Sequence, residues 1–230
     1  MWENLKEQFI LNFIKDNRWH YLSNGLKVTL VITFFAVIIG LVLGAFSAMI
    51  RSKYEHTGKL KLLNALCNIY IAVIRGTPVT IQLLIIYFVV FSGMKIDKTL
   101  VAVIAFGINS GAYQAEIFRA GIQSISRGQF EAGRSLGFNY NQTMRYIILP
   151  QAIKNVIPTL ANEFIVLLKE TSVAGYIALI DLTKAADIIR SKTYSAFMPL
   201  IAVALIYLIL VLGFSYVVTI IERRLSRARN

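Results

Sequence analysis

Five almost uncharged runs restrict this 230-residue chain more than any other feature. They cover residues 28–50, 76–94, 99–115, 155–168 and 193–221, and are 23, 19, 17, 14 and 29 residues long; only the fourth holds a charge, Glu163. A hydrocarbon core about 30 Å thick takes roughly 20 helical residues to cross. The first, second and fifth runs meet that length, while the third and fourth need flanking residues. Charged residues are 16% of the chain, against about a quarter in soluble domains. The expectation is an all-α membrane protein with five transmembrane helices in one transmembrane domain, residues 1–230.

Residues 59–75, KLKLLNALCNIYIAVIR, are apolar but bracketed by charge. They read as the approach to the second crossing, not a crossing alone, because Gly76 and Pro78 mark a break: proline cannot continue the helical ladder and disfavours helix just before it. Five crossings put the termini on opposite sides. With the N-terminus outside and Arg75 at the inner interface, inner segments hold 14 Lys and Arg and outer ones 10. Positive loops favour the inside, so this orientation is expected, with a cytoplasmic C-terminus marked by ERRLSRARN. Residues 1–24 are no signal peptide, since charges recur among them; Leu5, Phe9, Phe13 and Ile14 recur at helical spacing, so an external, interfacial helix is expected. Residues 116–154 become a cytoplasmic loop. Residues 171–192 become an external segment, where Asp181, Lys184, Asp187 and Arg190 suggest a short helix.

The net charge of +12 is scattered between apolar runs, which argues against nucleic acid as a partner. The single cysteine, Cys67, excludes a disulfide within the chain and a cysteine-based metal site; it reads as a small apolar residue.

The inner loop contains FEAGRSLGFNYNQTMRYIILPQAI. Two short helices are expected there, near 126–136, stopped by Gly137, and near 140–148. Glu131-Ala132-Gly133, then three residues, Gly137, nine residues and Ile147-x-Leu149-Pro150 resemble the EAA loop of ABC-importer permeases. The family pattern is E-A-A-x3-G-x9-I-x-L-P, and this chain departs from it only at Gly133, where the family has alanine. The stretches IRGTPVTIQLLIIYF (74–88), NSGAYQAEIFRAGIQSISRGQFEAGRSLG (109–137) and LKETSVAG (168–175) resemble the branch for polar amino acids. The resemblance implies a type I ABC-importer permease in the bacterial cytoplasmic membrane. Its partners would be a second permease chain, two copies of an ATPase subunit and an extracellular substrate-binding protein. By the same resemblance Glu131, Ala132, Gly133, Gly137, Leu149 and Pro150 couple the permease to its ATPase.

The residues themselves are compatible with that role. Gly133 and Gly137, four apart, would share a helical face and allow a partner's close approach. Glu131 would pair with a basic partner residue or cap a helix end, and Pro150 would end the loop before the fourth crossing. The chain holds no G-x-x-x-x-G-K-[ST] phosphate loop, so ATP and Mg are expected on the partner ATPase and no cofactor in this chain. No catalytic or metal-ligating residue is assigned.

Ionisable groups inside a crossing cost about 2.5–3.5 kcal/mol on insertion scales, so they default to function. Asn155, Thr159, Asn162 and Lys169 fall on one helical stripe, with Glu163 and Glu170 on a neighbouring face. An amino acid needs an acceptor for its ammonium and a donor for its carboxylate. Glu163 is expected to accept from a substrate cation, Asn162 to be its polar neighbour and Lys169 to attract the carboxylate; the competing role for Glu163 is a pair within the bundle. That points to arginine, lysine or histidine, with glutamine the further candidate. Gln82, Asn109, Ser110 and Gln114 either line a cavity or bond across helices. Gly40 and Gly44, and Gly107 and Gly111, each form a G-x-x-x-G that permits close packing within the fold.

Two other classes remain. A secondary transporter often shows internal repeats, and none is visible here. A membrane enzyme needs a cluster of reactive groups, yet His20 and His56 fall on opposite sides of the expected topology. A five-span permease is too small to enclose a pathway alone, so a dimer is expected, with a homodimer favoured.

Overall fold

The computed structural model describes residues 2–227, and the side chains within it except those of residues 2, 4, 5 and 225–227. Leu5 of the expected N-terminal apolar face and Arg229 of the basic tail lie outside the described side chains. Every regular element among the described residues is helical. Helix α1 (Trp2–Phe9) runs into a π turn at Ile10–Ile14 and a 3-10 turn at Lys15–Asn17. Helix α2 (Trp19–Thr57) follows, so residues 19–24 belong to the first long helix and not to a separate interfacial one. Its 39 residues rise about 58 Å at 1.5 Å each, so it overreaches the hydrocarbon core. It ends at Gly58, whose positive φ of 67° turns the chain while its N–H still bonds the Tyr54 carbonyl.

Helix α3 (Lys61–Arg75) and helix α4 (Val79–Ile85), extended by a π turn to Val90, come next. Helix α5 (Lys98–Gln123) starts at Asp97, whose carboxylate accepts from the Thr99 and Leu100 backbone N–H groups. Then come α6 (Arg127–Ser135), α7 (Tyr140–Thr143) with a π turn to Ile148, and α8 (Leu149–Glu170). A 3-10 turn at Thr171–Ile177 leads to α9 (Leu182–Thr193) and α10 (Phe197–Arg227).

Helices α2, α5 and α10 are long and apolar enough to cross a membrane, and α3 with α4 passes the same test as one pair bent by 109°. Helix α8 has the length, 22 residues, but not the apolarity. The outward faces carry bare hydrophobes such as Val42 and Ile209, 65% and 70% exposed, which suit lipid and not water.

Helix α3 runs lengthwise against α5: Leu60 shares a cleft with Ile122, and the Tyr70 hydroxyl donates to the Ile108 carbonyl at 2.5 Å. Arg75 ends α3 beside α5, with its guanidinium 5.4 Å from the Tyr113 ring centroid. The Gly76–Pro78 break that follows is exposed in the single chain, and the buried Gln82 pairs its carbonyls. The Gln82 amide donates to the carbonyls of Ile74 (2.7 Å) and Thr77 (3.0 Å), and Asn109 Nδ2 donates to Gln82 Oε1 (2.9 Å). Irregular backbone at membrane depth survives only when its polar groups are paired in this way. Gln82, Asn109, Ser110 and Gln114 are all buried: Asn109 ties α5 to Gln82 of α4, Gln114 Nε2 reaches the Val37 carbonyl of α2 at 3.5 Å, and Ser110 accepts from Gln114 within α5.

The two G-x-x-x-G pairs meet each other's helix. A Cβ on Gly40 would lie 2.6 Å from Gln114 Nε2, one on Gly44 2.7 Å from Gln114 Cβ, and one on Gly107 2.7 Å from Ile39 Cγ2. Their absence lets α2 and α5 run side by side, the most extensive helix pair in the fold. Arg51 of α2 pairs with Glu116 of α5 near one end. Near the other, α9 folds onto α2: the Leu182 N–H bonds Thr29 Oγ1 at 3.1 Å, and Leu182, Ala185, Ala186 and Ile189 are fully buried. The 3-10 turn before α9 packs Ala174 and Ile177 into the core beside Ile32, Leu83 and Phe106.

Candidate functional site

The loop between α5 and α8 folds as a compact, self-capped unit. Ser126 Oγ accepts from the Gly128 N–H and starts α6. Gly137, φ 81°, ends it: its N–H bonds the Arg134 carbonyl and the Phe138 N–H bonds the Gly133 carbonyl, a Schellman stop. Asn139 and Gln142 form a capping box that starts α7.

Gly133 and Gly137 thus do not share a face open to a partner. Gly137 lies past the helix end. Gly133 is buried and faces inward, where a Cβ would stand 2.6 Å from Thr143 Cγ2 and 3.2 Å from Ile147 Cδ1. Its close approach joins α6 to α7 within the chain. Glu131 and Ala132 are exposed, Leu149 is half-buried, and Pro150 is exposed in the first turn of α8, which continues directly from the π turn before it.

Sequence spacing missed what holds this loop. The His56 ring, at the end of α2, stacks on Phe130 of α6 at 4.6 Å and lies 5.5 Å from Tyr140 of α7. Ser52 Oγ and the Tyr140 hydroxyl are hydrogen-bonded at 3.0 Å. These partners are far apart in sequence and carry no shared motif. Between them opens a cleft of about 820 Å³, lined by Glu55, His56, Arg119, Arg127, Glu131 and Arg134 among others. Arg119 is tied to Glu116 at 3.2 Å and to Glu55 at 3.7 Å, so α2 and α5 reach the cleft as one ion-paired block.

On α8, Thr159, Asn162 and Lys169 are exposed, Glu163 and Glu170 half-buried, and Asn155 Nδ2 donates to Ser124 Oγ at 2.7 Å. Glu163 makes no hydrogen bond or ion pair with another described residue. Phe164 packs edge-on against Phe214 of α10 at 5.0 Å. Helix α8 thus presents a polar face outward from the single chain. Glu163, Asn162 and Lys169 lie along this helix, apart from the loop residues at its start. Pro158 inside it removes one helical N–H, leaving the Lys154 carbonyl without its ladder donor. Among the described residues no group of His, Cys, Asp and Glu could hold a metal ion.

Long apolar helices, a broken pair packed beside them and a capped polar loop at one end define a membrane transport subunit. The chain belongs to the family of binding-protein-dependent transport system inner membrane components, whose pattern it matches over residues 40–227, on the branch of amino-acid ABC transport permeases. It is 40% identical over 207 residues to GlnP of Rickettsia bellii (strain RML369-C), a permease named for glutamine transport, covering 89% of this chain and 93% of that one. It is 38% identical over 208 residues to the arginine transport system permease ArtQ of Bacillus subtilis (strain 168), covering 90% and 93%. A crystal structure of an amino acid ABC transporter with histidines superposes with a TM-score of 0.83 at 45% identity, over 92% of this chain and 98% of that one. The methionine ABC transporter MetNI, at 21% identity and a TM-score of 0.76, shares the fold.

Proposed function

We infer that this chain is the membrane-spanning subunit of an ATP-driven importer for a polar, cationic amino acid. The observation that carries it is the exposed, self-capped helix α6, with Glu131 and Ala132 outward, set between two long helices of an amino-acid permease fold. Such a helix, clasped to α2 through His56, can seat on a separate ATPase and move with it. The five crossings are α2, the broken pair α3–α4, α5, α8 and α10. They leave the N-terminus outside and the C-terminus and α6 in the cytoplasm, which agrees with the excess of Lys and Arg on the inner segments. ATP and Mg belong to the ATPase, two copies per transporter; an extracellular binding protein delivers the substrate, and a second copy of this chain completes the pathway.

Substrate contact falls to the polar face of α8. Glu163 carries a carboxylate without a hydrogen-bond or ion-pair partner among the described residues, Asn162 stands beside it, and Lys169 offers a cation for the substrate carboxylate. Proteoliposomes holding this chain, its ATPase and its binding protein test both halves. Glu131→Lys is expected to abolish labelled arginine uptake and to detach ATP hydrolysis from substrate. Uptake that needs no ATP and ignores Glu131→Lys would make the chain a secondary transporter. Glu163→Gln is expected to weaken arginine uptake about ten-fold while sparing glutamine, the scale of one charge-assisted hydrogen bond. Equal loss for both substrates, or none, would remove Glu163 from the cation site.

A further inference from the structure

Beside the charged cleft lies a second, apolar one of about 260 Å³. The last apolar turns of α2 supply Phe46, Met49 and Ile50, and Leu60, Ile122 and Met144 complete its apolar walls. Phe46 and Met49 are 58% and 48% exposed, so the groove is open on its outer side. Its polar groups are Lys53, Tyr140 and Asn141, with no carboxylate among the lining residues. Lys53 makes no ion pair with a described residue. The chain brings two more exposed cations to the same edge, because Leu60, at φ 66°, stands between Lys59 and Lys61. Lys53 itself follows the end of the first apolar run by less than one turn, which sets the groove at the membrane boundary.

An apolar cleft with an unmatched ammonium at its mouth selects an anion carried on an apolar stem. A soluble anion would leave the apolar walls bare. An apolar helix of another protein would bury the ammonium without a counter-charge, which is costly. A phospholipid of net negative charge answers both features, and basic pockets between membrane helices on the cytoplasmic side suit such headgroups. We propose that this groove binds one anionic phospholipid of the cytoplasmic leaflet. The acyl chain lies along Phe46, Met49 and Met144, and the phosphate takes the Lys53 ammonium and an N–H of the Asn141 amide. Tyr140 lines this groove and also bonds Ser52 beside His56, so the lipid braces the side of the loop that α2 grips. The leaflet assignment rests on the orientation inferred above.

Native mass spectrometry of the solubilised full chain, with dioleoylphosphatidylglycerol or the matching phosphatidylcholine added, tests this. One phosphatidylglycerol is expected to be retained in preference to phosphatidylcholine. Lys53→Gln should weaken it about five-fold, the usual worth of one cation at a membrane surface. Leu60→Asn, which tolerates the positive φ, should weaken it too, while Arg224→Gln on the distant tail should not. Four results would overturn the proposal: equal retention of both lipids, indifference to Lys53→Gln, displacement by millimolar inorganic phosphate, or displacement by the ATPase on assembly. The orientation has its own readout. In a Cys67→Ser background, Lys53→Cys should react with a membrane-impermeant maleimide only in inverted vesicles. Reaction in intact cells would overturn the orientation and the leaflet, while the lipid counts still judge the groove.

Discussion

An alanine methyl at residue 133 would stand 2.6 Å from Thr143 Cγ2 and 2.7 Å from Thr143 Oγ1. Thr143 is buried and stiff at its first side-chain torsion, so it cannot swing clear. Gly133→Ala is therefore expected to cost roughly 1–3 kcal/mol, as overpacking does. Thr143→Ala should recover much of that loss, because the Thr143 hydroxyl has no hydrogen-bond partner among the described residues to forfeit. Unfolding midpoints of both single variants and the double give the coupling; simple additivity would sink the pairing. Gln82→Leu would take their donor from the Ile74 and Thr77 carbonyls at the helix break and leave the buried Asn109 amide without its acceptor, at about 1–3 kcal/mol for a buried unpaired group. Unfolding in lipid nanodiscs measures it, and an unchanged midpoint would mean water replaces the amide. The spacing from Glu131 to Pro150 was legible along the chain because it is local. Thr143 against Gly133, and His56 against Phe130, were not, because helix spacing says which residues share a face and not what that face meets.

At the scale of helices, the small-residue pattern was the most legible part of the fold: Gly40, Gly44, Gly107 and Gly111 all lie where α5 meets α2 or α3. Gly44→Leu should force the two helices apart and reduce the folded yield sharply, as gel filtration of the solubilised protein would show; a normal elution profile would contradict the tight packing. The placement of α3 was harder to read. Lys61 and Arg75 look like two interfacial charges, and neither the Tyr113 ring beside Arg75 nor the break paired by Gln82 is visible in that spacing. Helix α9 offers a pH test. Hydrogen bonds from Lys184 (2.8 Å) and Arg190 (2.5 Å) hold the Asp187 carboxyl below the usual carboxylate range. A lowered native pKa adds stability that is present above the unfolded value near 4 and is lost as pH falls through the native one. Asp187→Asn should therefore lower the unfolding midpoint slightly at pH 7, by less than about 1 kcal/mol for an exposed pair. The gap should narrow as pH falls below the unfolded value and close once the native carboxyl is protonated, and a gap that persists after that would show that the loss is packing and not charge.

The whole chain leaves one face unexplained by itself. Thr159, Asn162 and Lys169 are exposed on α8, whose opposite side is packed through Phe164 against α10. In the proposed topology α8 crosses the membrane, and polar groups within a crossing cannot stay against lipid. Either water or a second chain must cover them, and an aqueous path needs walls that a single bundle of this size does not supply. The apolar surfaces of α2 and α10, with Val42 and Ile209 bare, are suited to lipid and leave α8 as the side for assembly. Run length marked out the long helices in the sequence, and the polar stripe marked α8, but neither says how many chains surround the stripe. A two-fold pairing of copies through α8 would bring the same residue of each close to its mate near the axis. In a Cys67→Ser background, Thr159→Cys and Asn162→Cys are the two positions to oxidise in native membranes, with Ile209→Cys as the lipid-facing comparison. Disulfide bridging needs Cβ atoms about 3.5–4.5 Å apart, so a dimer band from one α8 position and not from Ile209→Cys would place α8 at the axis. A band from Ile209→Cys alone would move the interface to α10 and leave the α8 face to water. Cross-links only to a different chain would replace the homodimer with a mixed pair, while keeping the polar face as the wall of the path.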